Sequence, residues 1–236
     1  MITKCTIYGE RCSGTNYIEN LISINFDVNI TWQYGWKHFF GHNITDKTNN
    51  LKKDISNADD VLFICIVRDI VPWINSFFKE PHHVNKDIHN NINCFINNEI
   101  FTPHYERNYK KNDQIPKELI NYIEDRNFNT NQRYKNLFEL RYNKINYMTE
   151  VLPKIAKNYI FVRYEDLINN FQQTMFKIKS KGLVVKSDIN FPLNSNNYKN
   201  NSKKKFSKKK NLLYEDLIYK NENYNHVIEN KIGYKI

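Results

Sequence analysis

The stretch Val61 to Val67, VLFICIV, constrains this chain more than any other: seven consecutive apolar residues, mostly β-branched or aromatic, followed at once by Arg68 and Asp69. A strand that is apolar on both faces belongs in the middle of a parallel sheet with helices on either side. Lys4 to Tyr8, Phe26 to Trp32 and Tyr159 to Val162 are shorter candidates for its neighbours. Between them lie segments of helical spacing. Tyr17, Ile18, Leu21 and Ile22 mark the first, and Val71 to Phe78, with Pro72 in its first turn, the second. Asn136 to Leu152 and Glu165 to Lys181 follow, then Leu212 to Tyr219 and Tyr224 to Ile232. Strands alternating with helices predict an α/β fold, three layers deep around a central parallel sheet flanked by helices. No Pro/Gly/Ser linker divides residues 1–236, so a single domain is expected, with 84–135 as a peripheral insertion of helices and loops and 186–210 as an Asn- and Lys-rich loop. YEDLI occurs at 164–168 and again at 214–218, but the flanks differ and the repeat is read as coincidence.

Composition tells less than usual. Asparagine accounts for 38 of 236 residues and alanine for only two, the bias an AT-rich coding sequence produces, so the informative residues are the few Gly, Arg, Trp and His. The net charge of +10 is unevenly spread: residues 1–100 hold 9 basic and 11 acidic side chains, residues 101–236 hold 26 and 14. Lys199 to Lys210 alone carries seven lysines and no acid, which points to an anionic partner without naming one. No apolar run reaches the roughly 18 residues of a membrane span, and Met1-Ile2-Thr3-Lys4 leads straight into a β-like run, so a cytoplasmic protein with no membrane partner is expected. Cys5, Cys12, Cys65 and Cys94 lack CxxC spacing, which argues for a reducing compartment and against a zinc site.

In parallel α/β sheets ligands bind at the carboxyl ends of the strands. After the first strand comes Gly9-Glu10-Arg11-Cys12-Ser13-Gly14-Thr15-Asn16, opening a helix, and loop amides with a helix N-terminus make a cradle for phosphate. The spacing from Gly9 to Gly14 matches a Walker A loop, yet Thr15-Asn16 stands where Lys-Ser/Thr would be required. A Cys-x5-Arg phosphatase loop fails too, because position 18 is Ile18. A thiol beside Arg11 near a helix N-terminus is expected to have a lowered pKa, although Cys12 reads better as a small loop residue. Beyond the central strand, Arg68 and Ser76 are spaced to converge on one phosphate, the guanidinium supplying a fork and the hydroxyl a further donor.

Taken together these segments resemble the sulfotransferase superfamily that uses 3′-phosphoadenosine 5′-phosphosulfate (PAPS), in the branch with GERxSGTN loops. R-C-S-G-T-N at 11–16 resembles its 5′-phosphosulfate loop and V-R-D-I-V-P-W-I-N-S at 67–76 its 3′-phosphate motif. F-V-R-Y-E-D-L at 161–167 resembles its late strand and helix, and N-L-F-E-L-R-Y-N-K-I at 136–145 the helix before that. The resemblance spans residues 4–182 and implies a P-loop-like domain. It implies nucleotide binding through Arg11, Cys12, Ser13, Gly14, Thr15, Asn16, Arg68 and Ser76, and a metal-independent sulfonyl transfer to an acceptor hydroxyl, with adenosine 3′,5′-bisphosphate as product. By the breadth of the family that hydroxyl is expected on a carbohydrate. His38, in Trp36-Lys37-His38, falls where the family's general base stands, and His42 is close enough to be the alternative. Lys37 and Arg11 would neutralise charge on the transferring group. His82 and His83, with His42, would line the acceptor site; adjacent histidines diverge on any regular element and make a poor metal site.

Three features depart from the family pattern. Its loop Lys before Ser-Gly is Cys12 here; its late Arg-Lys-Gly motif is not recognisable, with the run that begins at Lys203, Lys204 and Lys205 as the candidate substitute; and no obvious catalytic carboxylate replaces His38, although Glu10 lies in the loop. Arg141 and Lys144 share a helix face and are candidates to reach the nucleotide, whereas Arg163, Glu165 and Asp166 read as a strand end and helix cap. Two rival readings stand beside this one: a P-loop kinase of a nucleotide or small molecule, and a basic nucleic-acid-binding module built on Lys199 to Lys210. The second lacks interleaved aromatics apart from Tyr198 and Phe206, which argues against nucleic acid. Oligomeric state is not legible.

Overall fold

The computed structural model describes residues 1–38, 40, 51–81, 84–101, 125–186 and 214–234. Four strands, β1 (Lys4–Tyr8), β2 (Asn29–Ile30), β3 (Val61–Val67) and β4 (Tyr159–Arg163), form a parallel sheet in the order β2-β1-β3-β4. Lys4 lies opposite Val61 and Tyr8 opposite Cys65, while on the other side of β3 Phe63 lies opposite Tyr159 and Val67 opposite Arg163. The all-apolar reading of β3 is borne out: every one of its residues is buried.

The period of two along β3 divides the core. Leu62, Ile64 and Ile66 pack with Ile18, Leu21 and Ile22 of α1 (Thr15–Asn25) and with residues of the 164–183 segment. Val61, Phe63, Cys65 and Val67 face the opposite layer, which holds α2 (Leu51–Ser56) and the 145–156 segment. Helices on both faces of a parallel sheet make the three-layer α/β fold expected from the sequence. Among the described residues no helix is long and apolar enough to cross a membrane.

The remaining helices differ in detail from their sequence patterns. α3 (Ile70–Lys79) begins as expected, with the Asp69 carboxylate accepting from the Val71 amide at 3.1 Å as its N-cap. α4 (Ile92–Asn97) follows a short 3₁₀ turn at Lys86–Ile88. The continuous helix expected over 136–152 is α5 (Leu137–Asn146), then a π turn at Tyr147–Val151, then α6 (Leu152–Ile155). Pro153 lies in the first turn of α6 and has no amide to give, so the widened turn falls where the hydrogen-bond ladder must be interrupted.

Likewise 165–181 is two helices, α7 (Tyr164–Asn169) and α8 (Phe171–Lys179), broken at Asn170. There the Thr174 hydroxyl donates to the Asp166 carbonyl at 3.1 Å and offers the backbone an alternative to a continuous helix. α9 (Glu215–Tyr219) and α10 (His226–Lys231) close the described chain. The strand expected over 26–32 shrinks to two residues because Phe26 is pulled into the core, bridging Val185 in antiparallel fashion. Within the described parts of 84–135, Phe95, Ile96, Ile100 and Tyr134 are buried with α3 and α5 in a third apolar cluster, while Lys86 and Asp87 stay exposed.

Candidate functional site

The carboxyl ends of β1 and β3 lie side by side, and the chemistry-bearing loops leave from them. Gly9 begins the first loop pressed against β3, where a Cβ would come within 2.6 Å of the Ile66 carbonyl oxygen. Gly14 ends the loop in the left-handed region, φ 100°, as the N-cap of α1, with no side-chain oxygen capping the helix. A Cβ there would meet the Tyr164 ring at 2.5 Å, so both ends of the loop demand glycine. Between them the Ser13 hydroxyl donates to the Glu10 carbonyl at 2.6 Å and the Ser13 amide to the same oxygen at 3.1 Å, folding the loop back on itself. Thr15 is buried and Asn16 exposed at the mouth of α1.

The second motif closes on this loop. An Arg68 Nη1 donates to the Cys12 carbonyl at 3.2 Å while the guanidinium lies 4.9 Å from the centre of the Tyr164 ring. Ser76 of α3 lies beside the Cys12 sulfur, whose thiol donates to the Glu80 carbonyl at 3.9 Å. Trp73, fully buried between them in sequence, donates its indole N–H to the Arg11 carbonyl at 2.8 Å. The structure therefore brings Arg68 and Ser76 to one side of the 11–16 loop, as their spacing predicts. It does so through Trp73 and Tyr164, whose roles no spacing rule reveals.

Third comes the 36–38 segment. The Gly9 amide donates to the Lys37 carbonyl at 3.0 Å, and His38 Nδ1 sits 2.7 Å from the Gly9 carbonyl oxygen. A carbonyl can only accept, so Nδ1 carries the hydrogen and the neutral ring keeps its lone pair on Nε2. The His38 side chain is buried, with the Trp36 ring edge-on at 4.8 Å between centroids. Lys37 reaches across to the first turns of α1, bonding Asn16 Oδ1 and pairing with Glu19 at 3.3 Å.

Other placements depart from expectation. Arg11 is 2% exposed, its guanidinium beneath the loop and 3.7 Å from the Glu10 carboxylate, so its charge is not presented at the solvent face of the loop. The Cys12 thiol is the opposite of activated. Burial pushes it up to about 11, the Glu80 charge adds to that, and the neighbouring Ser76 hydroxyl and the Arg68 and Arg11 charges only partly offset it. Arg141 and Lys144 do not reach the loop mouth either. Arg141 is clamped by the Glu229 carboxylate at 2.6 and 2.8 Å and donates to the Arg68 carbonyl at 3.0 Å. Lys144 is wholly buried against Asp125 at 2.5 Å. Arg163 grips Asp166 with two bonds of 2.9 and 2.8 Å, and Glu165 accepts from the Asp69 amide at 3.1 Å, which makes this strand end structural, as read from the sequence. His42, His82, His83, Lys203, Lys204 and Lys205 lie outside the described residues.

Beneath the loop, Glu10, Arg11, Asp125 and Lys144 form a buried group of two acids and two bases. Burial raises the Glu10 carboxyl to about 7; the Lys144 and Arg11 charges pull it down and Asp125 pushes it further up. Compared with known proteins, the chain matches no family model, no curated protein and no solved structure.

Proposed function

We propose that the protein is a sulfotransferase that moves a sulfonyl group from PAPS to an acceptor hydroxyl, with a carbohydrate as the favoured acceptor class. The observation that carries this reading is the convergence of Arg68, Ser76 and the glycine-bounded loop 9–16 on one place at the ends of β1 and β3. A nucleotide with phosphates at both its 3′ and 5′ positions needs two anion sites held by different elements. The uncapped N-terminus of α1 suits the 5′ group, and Arg68 with Ser76 suits the 3′ phosphate.

In the transfer, the acceptor oxygen forms a bond to sulfur as the bond from sulfur to the 5′-phosphate oxygen breaks in line. His38 Nε2 takes the hydroxyl proton, and adenosine 3′,5′-bisphosphate leaves with the bonding pair. Lys37, bonded to Asn16 in the first turn of α1, would offset the charge that grows on the leaving oxygen. Arg11, buried under the loop, supports the loop from within instead.

Calorimetric titration with adenosine 3′,5′-bisphosphate tests the assignment. Wild type should bind without magnesium and Arg68→Ala should bind at least about tenfold more weakly, the loss of a charge-assisted bidentate contact. Absence of binding in wild type would overturn the assignment, and binding of ATP only with magnesium would favour the kinase reading. For the base, His38→Ala should lower PAPS turnover by about two to four orders of magnitude.

A further inference from the structure

A lysine at 0% side-chain exposure on the core face of α5, among Leu140 and Ile145, is hard to account for by stability. A buried ion pair seldom stabilises a fold more than apolar side chains of the same volume would. What distinguishes Lys144 is where a second N–H points. Besides Asp125, Nζ donates to the backbone carbonyl of His38 at 3.1 Å, and the ammonium is wedged between the rings of Phe40 at 4.6 Å and Phe128 at 4.8 Å. His38 is thereby held at two points, its carbonyl by Lys144 and its imidazole by the Gly9 carbonyl. The first anchor comes from α5, whose own start is fixed by the Asn136 side chain accepting from the Glu139 amide at 2.8 Å.

We propose that Lys144, with Asp125 as its counter-ion, is the positioning residue for His38, setting the imidazole against the loop with Nδ1 on the Gly9 carbonyl and Nε2 toward the reacting hydroxyl. The catalytic consequence rests on the reading of His38 as base; the positioning itself does not. Asp125 restrains the ammonium so that Nζ cannot swing away from the carbonyl, and the pair is a rigid strut between α5 and the 36–38 segment.

The imidazole nitrogens report this directly. In ¹⁵N-labelled wild type, the neutral form of His38 should show a single Nδ1–H tautomer, and in Lys144→Met it should show a mixture with the Nε2–H form. In the same variant PAPS turnover should fall roughly tenfold to a hundredfold, the cost of a misplaced reacting group, with adenosine 3′,5′-bisphosphate affinity unchanged within about twofold. Because Lys144→Met alone strands the Asp125 charge, Lys144→Met/Asp125→Leu is the companion variant. It should stay folded and still lose the single tautomer. A single Nδ1–H tautomer retained in the folded double variant overturns the proposal. If the tautomer becomes mixed while His38→Ala turns PAPS over at the wild-type rate, the positioning stands and the base assignment falls.

Discussion

Gly14 does two things that no other residue could do together. Its φ of 100° turns the loop into α1, and its bare Cα lets the Tyr164 ring lie against it, where that ring also meets the Arg68 guanidinium. Gly14→Ala should therefore cost about 1–3 kcal/mol for the left-handed backbone, before any displacement of Tyr164. Denaturant unfolding reads the stability loss, and, on the proposed function, titration with adenosine 3′,5′-bisphosphate should show weaker binding because Arg68 loses its platform. Glu10 supplies a pH dependence with a definite sign. Its carboxyl, raised from 4.5 to about 7 by burial, holds its proton more tightly folded than unfolded. Its contribution to stability is thus fully present below pH 4.5 and lost as pH rises through about 7. Melting temperatures of wild type and Glu10→Gln should accordingly diverge as pH rises between these values, wild type losing stability relative to the variant. A constant difference would show that Glu10 titrates as an ordinary surface acid.

At the scale of elements, the end of β3 is braced from the C-terminal side of the chain. Arg141 of α5 holds the Arg68 carbonyl and is itself neutralised by Glu229 of α10, and the Tyr234 hydroxyl donates to Glu165 at 2.6 Å while Glu165 takes the Asp69 amide. Burial lowers the Arg141 pKa, but the Glu229 charge and hydrogen bond more than reverse it, so the guanidinium stays charged in the core. Replacing one partner strands the other: Glu229→Gln should destabilise by about 3–5 kcal/mol, while Arg141→Met/Glu229→Leu should recover much of that loss, both read by denaturant unfolding. Sequence patterns located the elements well where one physical signal dominates. β3 is legible from seven apolar residues and α3 from Pro72 in its first turn, while the Asp69 cap emerges only in the structure. They failed where a single residue overrides a periodic stripe, as at Pro153 and Asn170, and where a short strand loses Phe26 to the core.

For the whole molecule, the layer order and the side of the sheet that carries the loops were legible, because both follow from strand polarity once β3 is known to be central. The positions of Arg68 and Ser76 beside the 11–16 loop were legible too, because strand ends and helix turns fix directions. The inward turn of Arg11 and the burial of Arg141 and Lys144 were not. A charged residue on a helix face reads as solvent-facing until a counter-ion distant in sequence, Glu229 or Asp125, is known to meet it.

The sheet order has a further consequence, for how the chain reaches this state. β1 lies between β2 and β3, yet its register with β2 runs only from Lys4 opposite Asn29 to Cys5 opposite Ile30, whereas all of β1, Lys4 to Tyr8, pairs with Val61 to Cys65 of β3. During synthesis β1 and α1 leave the ribosome long before β3 does, and until it arrives the far edge of β1 and the apolar face of α1 have nothing to close against. The first sixty residues alone should show no cooperative unfolding transition. Extending the fragment through β3 supplies the missing pairing, so the central strand that organises the finished sheet is also the step for which its folding must wait.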